Sequence, residues 1–306
     1  AAAIAAALLG GAFEERLLGQ SQSAPFDPRN RWVTGLPAAL AARALGLAGG
    51  AFTIDAACAS SLHAVHLAAE ELAGGRADAM LAGGVCRPDS LYTQMGFSQL
   101  RAASPSGRCR PFDAAADGLV VGEGAVVFVL KRLADALAAG DRVHGVLAGC
   151  GLSNDRGGRL LAPASEGQIR ALRAAYEAAG WDPHTVDLVE CHATGTPLGD
   201  AVEFESLRAL WGESGWRAGQ CAIGSVKSNV GHILTGAGAV GLLKVLLALR
   251  DRTLPPSAGF ERPSAKVPLA GSPFRVLGAA EPWPAPDGGR PRRAAVNAFG
   301  FGGINA

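Results

Sequence analysis

The sequence has few charged residues and few aromatic rings. Of its 306 residues, 18% are charged and 6% are aromatic, and the formal net charge is +1. This balance provides no basic surface for a phosphate backbone, so we do not expect nucleic-acid binding. The hydrophobic content of 49% allows a large core, and the length suits one large domain or two packed halves.

The sequence also lacks closely paired cysteines. Its six cysteines are scattered, at positions 58, 86, 109, 150, 191 and 221, and none forms a CxxC pair. We therefore expect neither a metal site nor a disulfide framework, and we expect a reducing, cytoplasmic environment. Most of these cysteines are expected to be small buried hydrophobes.

No apolar run is typical of a membrane span. The longest, "ILTGAGAVGLLKVLLAL" at 233–249, is interrupted by Lys244 and is shorter than a usual span, so a helix buried in the protein is expected. The opening "AAAIAAALLGGAF" is similar to a signal-peptide core, but it has no initiator methionine and no basic start. We interpret it as a chain that begins inside a domain.

Strand-like and helix-like runs alternate along the chain, which indicates an α/β fold with strands buried on both faces. The predicted strands are 51–54, 125–133, 142–152, 186–191, 221–226 and 294–299. The predicted helices are 60–73, 133–140, 166–180, 199–211 and the apolar run after 233, with Asp200 as the N-cap of the fourth. The Pro-rich stretch 255–286 is expected to be a surface connector.

Cys58 lies in "FTIDAACASSL", where a predicted strand turns into a helix. A helix N-terminus presents a positive dipole end and free N–H groups, both of which favour a thiolate and can bind an oxyanion. The small neighbours leave the sulfur open to a bulky substrate. The local pattern fits a nucleophile, and it fits a buried structural cysteine as well.

Two further loops carry reactive side chains directly after predicted strands. His192 lies in "ECHATGTPLGD", and Lys227 and His232 lie in "SVKSNVGH". Residues after the carboxyl ends of parallel strands converge on one crevice, so a cysteine and two histidines there indicate thiol chemistry assisted by imidazoles. The other four histidines are expected to be structural or exposed. The Gly-rich end "FGFGG" is a weak nucleotide-binding signal and is expected to let backbone approach a ligand closely.

Four motifs in the same order resemble one known family. "DAACASSL" is similar to the nucleophile motif of the β-ketoacyl synthases, "CHATGTPLGDAVE" and "GSVKSNVGH" are similar to their two histidine motifs, and "NAFGFGGIN" resembles their C-terminal glycine-rich motif. The chain looks like the ketosynthase domain of a multidomain polyketide or polyunsaturated-fatty-acid synthase. Ala193 stands where this family usually has glycine, and Ile304 where it usually has threonine.

The resemblance implies a thiolase-like fold, a five-layered α/β sandwich made of two duplicated halves. The halves are expected at 1–150, with the nucleophile, and at 151–306, with both histidines. Relative to the family, the chain is expected to be a fragment of a larger polypeptide, truncated at both ends. Expressed alone, it is expected to aggregate or to show little condensing activity.

The resemblance also implies the site residues. Cys58 would accept an acyl group from a carrier thioester, and His192 and His232 would stabilise the enolate formed when malonyl loses carbon dioxide. Lys227 would pair with Glu203 to orient His232.

Other residues would serve the substrate. Phe301 would act as gate, and its N–H would form the oxyanion hole with that of Cys58. Thr194 and Thr196 would contact the phosphopantetheine arm.

The implied activity is that of an acyltransferase of the 3-oxoacyl-carrier-protein synthase type, with no cofactor of its own. Phosphopantetheine would arrive on an acyl carrier protein or domain, malonyl thioester would be the second substrate, and the enzyme would be a homodimer with no membrane partner. Two alternatives remain open, a degradative thiolase and a catalytically silent scaffold or chain-length partner. A thiolase would need a second cysteine near the C-terminus, and none follows Cys221. A silent partner would have lost the nucleophile, which is present.

Overall fold

The computed structural model describes residues 36–87, 90–157 and 162–306. The helices are α1 (Leu36–Ala44), α2 (Ser60–Ala73), α3 (Ser90–Gln99), α4 (Leu133–Ala138), α5 (Ser165–Ala179), α6 (Pro197–Trp211), α7 (Lys227–Val230) and α8 (Ala237–Asp251). The strands are β1 (Met80–Cys86), β2 (Gly124–Leu130), β3 (Ser153–Asn154), β4 (Leu188–Glu190), β5 (Cys221–Gly224), β6 (Thr253–Leu254), β7 (Phe274–Val276), β8 (Glu281–Pro282), β9 (Ala294–Val296), β10 (Phe299–Gly300) and β11 (Ile304–Asn305). Short 3₁₀ turns lie at Pro183–Thr185, Leu234–Gly236 and Asp287–Gly289.

A four-stranded parallel sheet lies at the centre of the C-terminal part, in the order β7-β5-β4-β9. The strands are short and mainly apolar, and every residue of β4 and β5 is buried, including Glu190 at the end of β4. Buried, near-continuous apolar strands are typical of parallel sheets covered on both faces. The α/β class predicted from the sequence is confirmed.

Each face of this sheet has its own core. On one face, Val189 and Ile223 pack with aromatic residues of α6, including Phe204 and Trp211. On the other, Leu188 and Ala222 pack with Val245 and Ala248 of α8 and with Trp283. Alternate residues of a strand point to opposite faces, so each strand contributes to both cores.

The N-terminal part is built around an antiparallel pair, β1 with β2. Helix α2 packs on β1 and on α8, and its buried residues include Leu62 and Val65. β10, β11 and β3 form a small antiparallel sheet at the C-terminal end of the chain. Helix α5 ends at Gly180, whose φ of 64° is a left-handed conformation that suits glycine.

Two predicted strands are not strands in the structure. Among the residues described, 51–54 and 142–152 enter no ladder, and pairing begins only at Ser153. The second segment instead lies directly against α5: a Cβ at Gly149 or Gly151 would fall 2.6 Å or 2.1 Å from that helix's backbone oxygens. Glycines allow this close approach, whereas the side chains of Val143, Val146 and Leu147 are exposed.

Two further predictions are wrong in position. The stretch 255–286 includes β7, a strand of the central sheet, so it is more than a surface connector. Asp200 is not an N-cap: α6 begins at Pro197, with Thr196 as its cap residue, and Asp200 lies buried in the first turn. Among the residues that the structure describes, no helix combines the length and apolar character needed to cross a bilayer.

Candidate active site

Cys58 lies at a tight turn directly before α2. Ala57 adopts a left-handed φ of 49°, which is uncommon for a residue with a side chain. Asp55 accepts a hydrogen bond from the N–H of Ala57 at 2.9 Å, and the Ser60 hydroxyl donates to the carbonyl of Ala57 and accepts from the N–H of Ala56. Local side-chain hydrogen bonds thus hold a strained turn that presents the sulfur.

His232 lies in direct contact with this thiol. Its Nε2 is 3.0 Å from the Cys58 Sγ, and the imidazole is buried. The backbone of His232 is fixed from both sides, since its N–H donates to the carbonyl of Val120 at 2.6 Å and its own carbonyl accepts from Gly122 at 3.0 Å. The structure therefore brings together two residues 174 positions apart in the chain.

His192 completes the cluster. Its ring is nearly perpendicular to that of His232, with 5.4 Å between centroids. One ligand atom from each of Cys58, His192 and His232 lies within 4.8 Å of the others. Such a spacing would also suit a metal, but the nearby cation Lys227 opposes a further positive charge there, and we assign no metal.

The thiol is not the thiolate that the sequence suggested. Burial raises the pKa of Cys58 from 9.0 to about 11, against the opposing effects of Lys227 and of the backbone N–H groups of Phe301 and Cys58. Desolvation disfavours the charged sulfur more strongly than a helix N-terminus favours it. Cys58 is consequently a neutral thiol at neutral pH, and its chemistry requires a base.

Both histidines are neutral for a related reason. Burial lowers the pKa of His192 and of His232 well below the ordinary value, and the positive charge of Lys227 adds to this effect. Each Nδ1 is buried without a hydrogen-bond partner among the described residues, so no protein group there fixes either tautomer. A neutral ring can then accept a proton or donate a hydrogen bond at the nitrogen that faces the thiol.

Glu203 positions the loop that carries His192. Its buried carboxylate accepts from the N–H groups of His192 and Ala193 at 2.8 and 2.7 Å and from the Asn297 amide at 3.0 Å. The expected pairing with Lys227 is not a direct contact, since the ion pairs and hydrogen bonds of the described residues do not join the two. Burial raises the pKa of Glu203, against its hydrogen bonds and, least of all, the charge of Lys227.

The glycine-rich loop lies against the nucleophile turn. A Cβ at Gly300 would fall 2.9 Å from the Ala56 carbonyl oxygen and 3.2 Å from the Cys58 nitrogen, so only glycine allows this approach. The close approach predicted for this loop is therefore made to the protein's own turn. Phe301 is partly exposed, its ring lies 6.1 Å from that of Phe97, and its N–H is near the sulfur.

The two threonines lie beside the cluster. Their hydroxyl oxygens are 3.0 Å apart, and Thr194 is buried. The carbonyl of Thr194 accepts from the Cys109 thiol at 3.2 Å. Thr194 and Thr196 thus lie in the segment that follows His192, and their contact with a substrate arm stays a prediction.

Three buried polar residues hold loops of the site in ways that the sequence did not predict: Asp200, which was expected to be an N-cap, Asn297 and Glu190. Asp200 accepts from the N–H groups of Gly195 and Phe112, and Phe112 has a strained φ of 64°. Burial raises the pKa of Asp200 to about 7. Asn297 and Glu190 likewise join loops distant in sequence, and their only sequence signal is a polar residue at the end of an apolar run.

Two protein-family profiles match the chain. The β-ketoacyl synthase N-terminal domain matches residues 10–136, and the β-ketoacyl synthase C-terminal domain matches residues 144–261. The chain belongs to the β-ketoacyl synthase family. The resemblance found in the four motifs is confirmed.

The relatives are polyketide synthases. A mycocerosic acid synthase-like polyketide synthase of Mycolicibacterium smegmatis is 43% identical over 265 residues, which are 86% of this chain and 12% of that protein. A phenolphthiocerol/phthiocerol polyketide synthase of Mycobacterium tuberculosis is 45% identical over 263 residues, 86% of this chain and 17% of that protein. The chain therefore spans less than a fifth of the length of these relatives.

The solved structures agree with the family. The ketosynthase from module 6 of the bacillaene synthase of Bacillus subtilis has a TM-score of 0.86 at 39% identity, over 90% of this chain and 49% of that one. An oxazolomycin ketosynthase domain of Streptomyces albus has a TM-score of 0.85 at 33% identity, over 95% of this chain and 50% of that one. The thiolase-like α/β fold expected from the sequence is confirmed.

Proposed function

We propose that this chain catalyses the decarboxylative condensation of a Cys58-bound acyl group with a malonyl thioester. The single observation that carries the proposal is the cluster of one thiol and two neutral imidazoles, with His232 Nε2 at 3.0 Å from the sulfur. Family membership supports the reaction class, a transferase that forms carbon–carbon bonds. A 3-oxoacyl-carrier-protein synthase type is the finer assignment that we propose.

In the first step, the Cys58 sulfur attacks the carbonyl of an acyl thioester. The thiol is neutral, so its proton must leave as the carbon–sulfur bond forms, and Nε2 of His232 is the nearest base. The proton then passes to the departing thiolate of the acyl donor. The N–H groups of Cys58 and Phe301 face the oxyanion, with Phe301 as a gate beside them.

In the second step, malonyl thioester loses carbon dioxide and becomes an enolate. His192 and His232, both neutral, donate hydrogen bonds to the developing charge, and the positive field of Lys227 adds to that stabilisation. The enolate carbon attacks the acyl-Cys58 carbonyl, the Cys58 thiolate departs, and it takes up one proton from solvent. The product is a β-ketoacyl thioester.

We further propose that both thioesters arrive on phosphopantetheine arms of acyl carrier proteins or domains, with Thr194 and Thr196 along the arm. The enzyme itself needs no metal or redox cofactor, and it acts as a homodimer in a reducing cytoplasm. Six free thiols support that compartment.

To test this, the protein is incubated with an acyl-carrier thioester and a malonyl-carrier thioester, and mass spectrometry follows the carrier-bound product. If this chain alone aggregates, the longer polypeptide that contains it is used. We expect a β-ketoacyl carrier whose formation requires both substrates. Acyl transfer without any malonyl-dependent product would contradict the proposed condensation, and absence of acyl transfer as well would favour the silent-partner alternative.

A further inference from the structure

A buried ion pair lies beside the cluster, and the proposed mechanism does not use it. Lys244 of α8 places its Nζ 2.6 Å from Oε2 of Glu190, the last residue of β4. The side chains are 11% and 1% exposed. A buried charge is costly unless it is paired and hydrogen-bonded, so this pair needs an explanation.

The second oxygen of Glu190 reaches the loop after the neighbouring strand. Oε1 accepts from the Val226 N–H at 2.6 Å, and Val226 directly precedes Lys227, the first residue of α7. The main-chain oxygen of Glu190 accepts from the Asn297 N–H at 2.9 Å. Glu190, which lies two positions before His192, thus joins α8 to the loops that follow β5 and β9.

The sequence leaves room for this pair. A Cβ at Gly241 would fall 2.9 Å from Cγ of Glu190, and a Cβ at Gly224 would fall 3.7 Å from Nζ of Lys244 and 2.6 Å from the Ser257 hydroxyl. Glycines on α8 and at the end of β5 therefore line the space that the two long side chains fill.

The segment held by Glu190 leads directly to His232. The carbonyl of Val226 accepts from Val230 at 3.1 Å, and that of Lys227 accepts from Gly231 at 3.0 Å, so one helical turn connects Val226 to the residue before His232. A displacement at Val226 would pass through this turn to the imidazole. A shift of about 1 Å at a reacting group can cost on the order of a hundredfold in rate.

We propose that Glu190, paired with Lys244, is a positioning residue that sets the segment Val226–His232 against Cys58. The inference rests on the proposed function for its role in turnover. The Glu190–Lys244 pair gains a role in that function, and the contact between Cys58 and His232 is proposed to depend on the pair whether or not turnover occurs.

The test compares Glu190→Gln with Asp187→Asn. Asp187 directly precedes β4, at the end of that strand opposite to Glu190. There it accepts hydrogen bonds from the Trp283 indole at 3.2 Å and from Arg290 at 3.3 Å, away from the cluster. Three quantities are measured near neutral pH for each variant: the melting temperature, the rate of Cys58 alkylation by iodoacetamide, and kcat and KM for malonyl-dependent release of carbon dioxide.

We expect Glu190→Gln to slow both Cys58 alkylation and kcat by about tenfold or more, with KM changed less than about twofold. Asp187→Asn, at a carboxylate whose side chain is 27% exposed, should leave both rates near those of the unaltered protein and lower the melting temperature no more than Glu190→Gln does. Lys244→Met should resemble Glu190→Gln. The double variant should lose less than the product of the two effects, because it leaves no unpaired buried charge.

A further variant covers the case in which Glu190→Gln does not fold. Val226→Pro removes the N–H that donates to Glu190 and exchanges one small apolar side chain for another, at a residue whose φ of −60° suits proline. It should slow alkylation similarly. Equal rates in the position 190 and 187 variants, or unchanged alkylation in Val226→Pro, would overturn the inference. Absence of turnover in an unaltered protein that is folded and not aggregated would overturn the proposed function instead, and alkylation would still decide the positioning claim.

Discussion

At the scale of single residues, burial opposes ionisation of the Cys58 thiol, which is the proposed nucleophile. The pKa of the Cys58 thiol is raised to about 11, so the sulfur keeps its proton at neutral pH. Cys150 has a pKa raised to about 11 by burial as well, and it is the more exposed of the two. The difference between them is His232, which contacts the sulfur of Cys58.

This difference predicts the pH dependence of labelling. For a thiol with a raised pKa, the thiolate fraction falls about tenfold for each pH unit below that value. Cys150 should follow this steep dependence, whereas Cys58 should react faster near neutral pH because Nε2 of His232 can take its proton. Peptide mass spectrometry after brief iodoacetamide treatment at several pH values measures both sites together.

The control for this experiment is His232→Ala, which should reduce the labelling of Cys58 and leave that of Cys150 unchanged. Faster labelling of Cys150 than of Cys58 at neutral pH would contradict the assignment of His232 as base.

The two histidines can be separated from the nucleophile by measuring the partial reactions. If both rings stabilise the enolate, His192→Ala and His232→Ala should each slow decarboxylation by on the order of a hundredfold or more. His192→Ala should change acyl loading much less, since His232 is the ring in contact with the sulfur. Carbon dioxide release and acyl-Cys58 formation are measured separately, and equal losses in both steps for His192→Ala would contradict its role.

At the scale of elements, the site depends on carboxylates that anchor loops. Glu203 of α6 satisfies two backbone N–H groups after β4 and the amide of Asn297 after β9. These loops follow neighbouring strands of one parallel sheet, so the carboxylate holds two strand ends in a fixed relation. The role predicted for Glu203, a direct pair with Lys227, is replaced by this one.

This role predicts the cost of changing Glu203. Glutamine can accept only through one oxygen, so Glu203→Gln should leave a buried donor unsatisfied and lower the free energy of unfolding by about 1–3 kcal/mol. Glu205 is exposed on the same helix, and Glu205→Gln should change that free energy by less than about 0.5 kcal/mol. Chemical denaturation of both variants tests this, and equal effects would show that Glu203 is not an anchor.

Much of this architecture could be predicted from the sequence because it depends on local signals. The apolar runs of β4 and β5 and the glycine that ends α5 predict their elements directly, and the motifs place His192 and His232 after strands. The strand predicted before Cys58 is not formed, but the helix predicted after it is. The non-local features could not be predicted. The segment 142–152 is as apolar as a strand, but it enters no ladder among the described residues and most of its apolar side chains are exposed. β7 is a short strand within a Pro-rich stretch. The partner of Glu203 is a set of backbone N–H groups, which no side-chain pattern reveals.

At the scale of the whole molecule, the parallel sheet and its two cores bring distant segments to one place. Helix α2 rests on α8, which covers one face of the sheet, and this packing carries Cys58 to the loops after β4 and β5. The nucleophile and its two histidines therefore come from separate parts of the chain.

A protein that works through these three groups alone should not depend on a metal. We expect that dialysis against a chelator leaves the condensation rate unchanged within about twofold, because the field of Lys227 disfavours a cation at the cluster. The rate before and after dialysis, with and without added zinc, measures this. A loss on dialysis that zinc restores would contradict the assignment.

The most direct test of the central claim is to locate the acyl group on the protein. The protein is incubated with an acyl thioester and without malonyl, then digested and analysed by mass spectrometry, alongside Cys58→Ala and the matched control Cys150→Ala. We expect an adduct on the peptide that carries Cys58, present in Cys150→Ala and absent from Cys58→Ala, with both variants folded by circular dichroism. An adduct that persists in Cys58→Ala at another residue would contradict this expectation.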